Sequence, residues 1–391
     1  MFKKNSDCHS ANPCPAGIQS PECSGECRYG HSALLPEPLF TRLLSLERKR
    51  SERSKIAFLL VLLNIERLRL VNGDRDQTAR QIMAALSPLT RETDLVGWYK
   101  VGSVIGILFT EMGVATDPNL IVNPILAKIV PALNSQLPPA KASRIAISWH
   151  VFPELPGNDT EIPSDTELYP DVVNRNNANK FLRITKRVID ITGSLVALLL
   201  FAPFFLIIAA LIKLTSEGPV IFRQERLGQF GNTFHCLKFR TMFANNDPRI
   251  HQEFMKHVIK GEYEGKSAEN GQPVYKMTDD PRITRVGRIL RRTSLDEFPQ
   301  FINVLKGDMS LVGPRPPLAY EYLQYHPWQR RRVIESKPGI TGLWQVRGRS
   351  RVRFDDMVRL DLRYGSAWSL WLDMKILMET PRAVLGGDGA Y

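Results

Sequence analysis

The sequence predicts an α+β chain made of two unlike halves: a small N-terminal domain with one sheet, and a mainly helical second half fastened to a membrane. Three observations predict it. Between residues 36 and 152 the apolar pattern alternates between strand and helix periods in the order β-α-β-β-α-β. From Ile191 to Ile212 no residue is charged, and about 20 apolar residues suffice to cross a bilayer. Charge is also split unevenly. Residues 1–179 hold 19 Lys+Arg and 19 Asp+Glu, whereas residues 180–391 hold 33 and 21, so the net +12 lies entirely in the second half. A basic half implies an anionic partner: nucleic acid, an acidic membrane surface or a phosphorylated substrate. With 391 residues, 43% of them hydrophobic, the chain is long enough to pack a core in each half.

The elements follow in order. Residues 1–30 form a tail with four of the five cysteines, Cys8, Cys14, Cys23 and Cys27. No apolar export signal precedes them, so reduced thiols are expected. With His9 and His31 nearby they could ligate zinc or an iron–sulfur cluster, but the C-x5-C-x8-C-x3-C spacing matches no standard ligand set. A Pro/Ser/Gly-rich tail with incidental cysteines is the plainer reading. Residues 31–152 then read as a helix over 36–54, strand 56–65, helix 77–89, strands 94–99 and 103–111, helix 119–134 and strand 144–152. That order is ferredoxin-like. The Pro- and acid-rich stretch after Pro153 predicts a linker over 153–179.

The second half opens on the apolar segment 186–215. A simple spanning helix is the bland reading. Pro203 in its middle removes a backbone hydrogen bond, and cations flank both ends: Lys186 and Arg187 before, Lys213, Arg223 and Arg226 after. Positive charge favours the cytoplasmic side at both ends, so a re-entrant helix–break–helix is expected.

Beyond it, "FHCLKFRTM" spaces Lys238 and Arg240 two residues apart, which on a strand puts both cations on one face, suited to cradling a phosphate. "LRRTSLDEFPQFINVLKGDMSLVGPRP", residues 290–316, then sets Asp296 beside Glu297, with Arg291 and Arg292 upstream and Arg315 between two prolines. The bland reading is a capping box, Ser294-x-x-Glu297. Pro299 belongs in a first helical turn, so the carboxylates sit at or next to a helix N-terminus, where the dipole and the arginines keep them ionised. An ionised carboxylate at a phosphate site can act as a nucleophile or hold Mg²⁺ against a diphosphate. The basic, aromatic stretch 326–354 lacks a nucleic-acid-binding motif, so nucleic acid is not expected. Residues 251–276 read as an irregular surface insertion, and 365–385 as an amphipathic helix, core-packed or lying at a membrane interface.

Two resemblances add to this. Residues 31–152 resemble the cyclic-dinucleotide cyclases of the GGDEF family: "LLNIERLRLVNG" stands at that family's metal-binding strand end and "WYKVGSVIGILF" at its signature hairpin. The metal-binding acids are missing near Asn64 and in "KVGSV", which implies a non-catalytic, regulatory or dimerising remnant. Residues 180–391 resemble the bacterial sugar transferases, monotopic polyprenyl-phosphate phosphoglycosyl transferases. Lys186-Arg187, "FAP", "KFRTM", "RRTSLDEFPQFINVLKGDMSLVGPRP", "KPGITGLWQVRGR" and the terminal "GAY" carry that likeness. Many members have Ser-Pro where this chain has Ala202-Pro203. The resemblance implies transfer of a sugar-1-phosphate from a UDP-sugar to polyprenyl phosphate with release of UMP, at the cytoplasmic face of the inner membrane. It further implies a covalent intermediate on Asp296, metal positioning by Glu297 (Mg²⁺, or Mn²⁺ in its place) and a phosphate contact from Arg291. Lys238, Arg240 and Arg315 are further candidates for charge stabilisation. Downstream glycosyltransferases and a second copy of the chain are the protein partners expected. The rival expectations are a non-enzymatic membrane scaffold answering to a cyclic dinucleotide, and an active cyclase.

Overall fold

The computed structural model describes residues 34–385, except 69–71, 114–117, 154–165, 244–248, 264, 268–272, 276, 278–279 and 281. The four-cysteine tail and the terminal "GAY" lie outside the described residues.

The first half contains α1 (Glu37–Ser54), β1 (Phe58–Asn64), α2 (Asn72–Leu86), β2 (Leu95–Lys100), β3 (Val104–Phe109), α3 (Pro118–Gln136), the single turn α4 (Pro139–Ala142) and β4 (Ala146–Phe152). The strands form an antiparallel sheet in the order β2-β3-β1-β4. This is the ferredoxin-like arrangement. The unbroken apolar run of β1 now has its reason. Leu59, Val61 and Leu63 point to one face, against Ile82, Leu86, Ile129 and Leu133 of α2 and α3. Phe58, Leu60 and Leu62 point to the other, against Phe40 and Leu44 of α1. A central strand covered on both sides has no polar alternation to show.

The expected linker is partly folded. A 3₁₀ turn at Thr166–Leu168 leads into α5 (Pro170–Ala178), and Leu168, Tyr169 and Val172 bury against the α1 face of the sheet. The buried Arg48 guanidinium donates to both carboxylate oxygens of Asp171 at 3.1 Å and lies 4.2 Å from the centre of the Tyr169 ring. Leu168, Tyr169 and Val172 share their cluster with Phe40 and Leu44 of α1, more than a hundred residues earlier, so local periodicity could not reveal this packing.

The second half begins with α6 (Lys180–Thr215), a helix of 36 residues long and apolar enough to cross a membrane. The expected break does not appear: helix runs continuously through Pro203. Proline removes one bond of the ladder, and here rings brace the helix on both sides of it. Phe201 lies 4.6 Å from Phe298, and Phe205 6.2 Å from the same ring. The cations that flank the start of the apolar segment are engaged inside. Lys186 pairs with Asp373 at 2.6 Å, and Arg187 donates to the carbonyls of Val304 and Leu305 at 2.6 and 2.7 Å.

Next come the hairpin β5 (Ile221–Leu227) and β6 (Thr233–Phe239), then α7 (Arg249–Ile259) and the short strands β7 (Lys266–Ser267) and β8 (Pro273–Val274). Residues 249–259 therefore form a helix rather than an irregular insertion, with Val258 and Ile259 buried beside Tyr322 and Tyr325. The chain continues through α8 (Arg285–Thr293), α9 (Gln300–Lys306), β9 (Ser310–Val312), α10 (Ala319–Leu323), α11 (Pro327–Glu335), β10 (Gly339–Thr341), α12 (Leu343–Arg347), α13 (Phe354–Ser366) and α14 (Leu370–Leu385). β10 pairs parallel with β9. The core-packed reading of α14 is seen at Ile376, which is fully buried, while Trp371 is 72% exposed.

Candidate active site

The site forms where two helices meet at a sharp reversal. α8 is started by Thr284, whose Oγ1 accepts from the Gly287 amide at 2.9 Å. It ends at Ser294, which adopts a left-handed conformation (φ 57°). The capping box expected from Ser294 does not form, because this residue closes the preceding helix instead of opening the next. The reversal produces one 3₁₀ turn, Leu295–Glu297, after which Pro299 leads into α9. Asp296 and Glu297 thus sit side by side immediately before a helix, with Asp296 buried.

Lys238 of β6 reaches this turn and donates to Glu297 Oε1 at 2.7 Å. Burial by itself would raise the Glu297 carboxyl. The Lys238 ammonium, its hydrogen bond, and the charges of Arg315 and Arg226 overcome burial and hold the group at about 2. Arg291, on the last turn of α8, donates Nε–H to Thr241 Oγ1 at 3.0 Å. Burial lowers the pKa of its guanidinium, and the negative charge of Asp296 acts against that. Close approach keeps α8 in place: a Cβ at Gly287 would lie 2.1 Å from the Thr241 carbonyl oxygen, so glycine is required beside the very residue that orients Arg291.

Arg315 is exposed at the tip of its Pro-Arg-Pro turn. The turn is held from behind. Arg332 donates to the Arg315 carbonyl at 3.1 Å, and the buried Arg226 donates to the Pro316 carbonyl. Beside it, a Cβ on Gly313 would come within 2.2 Å of the Lys337 carbonyl oxygen.

The two cations expected to form one cradle have different partners. Lys238 meets the acidic pair, whereas Arg240, just past the end of β6, donates to the Ser216 carbonyl and Oγ at 2.7 and 2.8 Å. The free carbonyls at the C-terminus of α6 attract a cation there. Arg240 Nε and Nη1 are buried without a hydrogen-bond partner among the described residues. Of the other arginines in this stretch, Arg282 pairs with Asp280 at 2.7 Å, and Arg285, Arg288 and Arg292 are exposed on α8.

Sequence reasoning missed several members of the site. In the sequence Arg226 reads as a charge flanking the apolar segment, and nothing in its strand pattern signals burial. Arg349 donates to Ser294 Oγ at 3.2 Å and interacts with the charge of Glu297; its place inside "KPGITGLWQVRGR" was the available signal. His251 and Tyr320 share a hydrogen bond of 2.7 Å near Arg315. Burial pulls the imidazole down to about 4 and pushes the phenol up to about 12.

No group of three or more His, Cys, Asp or Glu that could hold a metal occurs among the described residues. The adjacent carboxylates still fit Mg²⁺, which takes one or two protein carboxylates and completes its shell with water and substrate phosphates. An acidic pair ringed by cations can receive a diphosphate and present a carboxylate to phosphorus.

A family model described as bacterial sugar transferase matches residues 181–387. Three relatives match the same half. The galactosyl transferase CpsE of Streptococcus agalactiae is 44% identical over 53% of this chain and 43% of its own length. The undecaprenyl-phosphate galactose phosphotransferase of Salmonella typhimurium is 42% identical over 56% and 44%. The UDP-glucose:undecaprenyl-phosphate glucose-1-phosphate transferase of Caulobacter vibrioides is 40% identical over 53% and 72%. The chain thus spans under half the length of the first two. Among solved structures, a DGC protein from Thermotoga maritima aligns with 32% of this chain and 86% of its own at 17% identity, with a TM-score of 0.26, which carries no assignment for the N-terminal domain.

Proposed function

The chain belongs to the bacterial sugar transferase family, and on that premise we propose that it transfers a sugar-1-phosphate from a UDP-sugar to a polyprenyl phosphate, releasing UMP. The relatives named for undecaprenyl-phosphate chemistry support this substrate class. The observation that carries the reading is the buried Asp296 next to a Glu297 kept ionised by Lys238, with Arg291 alongside.

In the first step an Asp296 carboxylate oxygen bonds to the sugar-bearing phosphorus, and the bond from that phosphorus to UMP breaks. In the second, an oxygen of the polyprenyl phosphate attacks the same phosphorus and the bond to Asp296 breaks. This yields a polyprenyl diphosphate sugar and restores the carboxylate. Arg291 and Arg315 hold phosphate oxygens, since phosphoryl transfer relies on positioning and charge neutralisation. Glu297, with Asp296, would hold a Mg²⁺ whose chemistry is to offset charge on the diphosphate and the leaving UMP. Lys238 keeps Glu297 deprotonated for that role.

In the membrane, α6 is read as entering and leaving one leaflet, turning at Pro203, where the ladder lacks one hydrogen bond. Body contacts recur along its length, at Arg187, Asp190, Phe201, Phe205, Ile212 and Ser216, which supports this over a crossing. Both ends then face the cytoplasm, where UDP-sugars reside. Single cysteines at 180 and 216 should both react with an impermeant thiol reagent from the cytoplasmic side; labelling of one from the opposite side rules this out.

The test of function incubates the purified protein with polyprenyl phosphate, Mg²⁺ and a panel of UDP-sugars and measures UMP. Asp296→Asn should abolish release, and a trapped phosphosugar should map to Asp296. Full turnover by the variant, or no UMP from any sugar, defeats the proposal.

A further inference from the structure

Helix α11 has two working sides. At about 100° per residue, Arg331, Ile334 and Glu335 share one side, and Gln329, Arg332 and Val333 the other. On the first side, Ile334 is buried in the N-terminal core with Phe40, Leu44 and Val172. Arg331 lies 3.6 Å from Glu52 of α1 and pairs also with Glu335, whose carboxylate is 4.0 Å from Arg175 of α5. On the second side, Arg332 pairs with Asp361 at 2.6 Å and donates to the Arg315 carbonyl at 3.1 Å. The exit from α11 is just as tight: the Gly339 amide donates to the Pro314 carbonyl at 2.9 Å, and Lys337 abuts Gly313. A displacement of α11 therefore has no slack before it reaches the Pro-Arg-Pro turn.

We propose that docking of the N-terminal domain on α11 sets the position of Arg315, and through it the affinity of the site for the diphosphate of its sugar nucleotide. The domain is then a positioning device for the transferase half, and whatever moves it tunes the enzyme. This rests on the reading of the site given above.

Glu52→Lys sets a cation against Arg331 without altering the transferase half, and Glu52→Gln removes the attraction without repulsion. Glu52→Lys should raise KM for the UDP-sugar by about tenfold with kcat within about twofold, and Glu52→Gln should fall between it and the wild type. In an Arg315→Ala background, Glu52→Lys should add nothing, as for two residues acting through one contact. Hydrogen–deuterium exchange of the 309–325 peptide supplies a readout independent of turnover, and it should quicken in Glu52→Lys. Unchanged exchange, unchanged KM in a protein whose wild type releases UMP, or effects of the two substitutions that simply multiply, overturns the inference. Quickened exchange in a protein that never releases UMP supports the coupling through α11 and overturns the reading of the site instead.

Discussion

Glu297 stands between two opposing influences, burial that favours its neutral form and the Lys238 ammonium 2.7 Å away that favours its charged form. The charge wins, and the carboxyl falls from the ordinary 4.5 to about 2. A group with a depressed folded pKa adds stability that is present above its unfolded value and lost as pH falls through its folded one. Lys238→Met leaves the burial and removes the main opposing charge. The stability difference between wild type and variant should be complete at neutral pH and shrink as pH drops from about 4.5 towards about 2, which thermal unfolding in detergent at several pH values will read. The acid limb of kcat/KM should move to higher pH in the variant, because Glu297 then protonates earlier. The acidic pair and its arginines were legible in the sequence, since adjacent charges and a proline restrict what a turn can do. Arg226 was not, because the carbonyl it holds belongs to Pro316, ninety residues away.

α9 has seven residues and starts three positions after Glu297, so what fixes this helix also holds the acidic turn. Its last carbonyls lack partners within the helix. Arg187 of α6 takes those of Val304 and Leu305, and Lys337 takes that of Gly307 at 2.7 Å. One guanidinium thereby ties α6 to the end of the helix that follows the acidic turn. Arg187→Ala should destabilise the protein by about 2 kcal/mol, from the loss of charge-assisted hydrogen bonds, measured as a lowered Tm. Activity should fall with it, as α9 loosens. In the sequence Arg187 reads as a charge flanking the apolar segment. The helix's apolar length was readable there; the direction in which its end residues point was not.

The two halves share one interface, in which Ile334 of the transferase half is 2% exposed within the N-terminal core. Two bodies joined by buried apolar contacts and ion pairs should unfold together. Ile334→Asp buries an unpaired charge in that contact. Calorimetry should show one transition for the wild type and two for the variant; a single unshifted transition in Ile334→Asp would count against a coupled interface. The expected linker belongs to this same assembly, since α5 carries Arg175 to Glu335 across the boundary.

By itself the sequence determined the strand and helix order of the first half, the apolar helix and the acidic turn with its arginines. Those features follow from periodicity, length and short-range steric rules, which a chain carries wherever it folds. Tertiary structure alone decided that Ser294 ends a helix rather than starting one, that Lys238 and Arg240 part company, and that Lys186 and Arg187 turn inward. It also decided that α11 packs on the N-terminal core through Ile334 and bonds the Arg315 carbonyl through Arg332. Each of these depends on which distant group fills the space beside a side chain, and pairings between distant segments leave no period in the sequence.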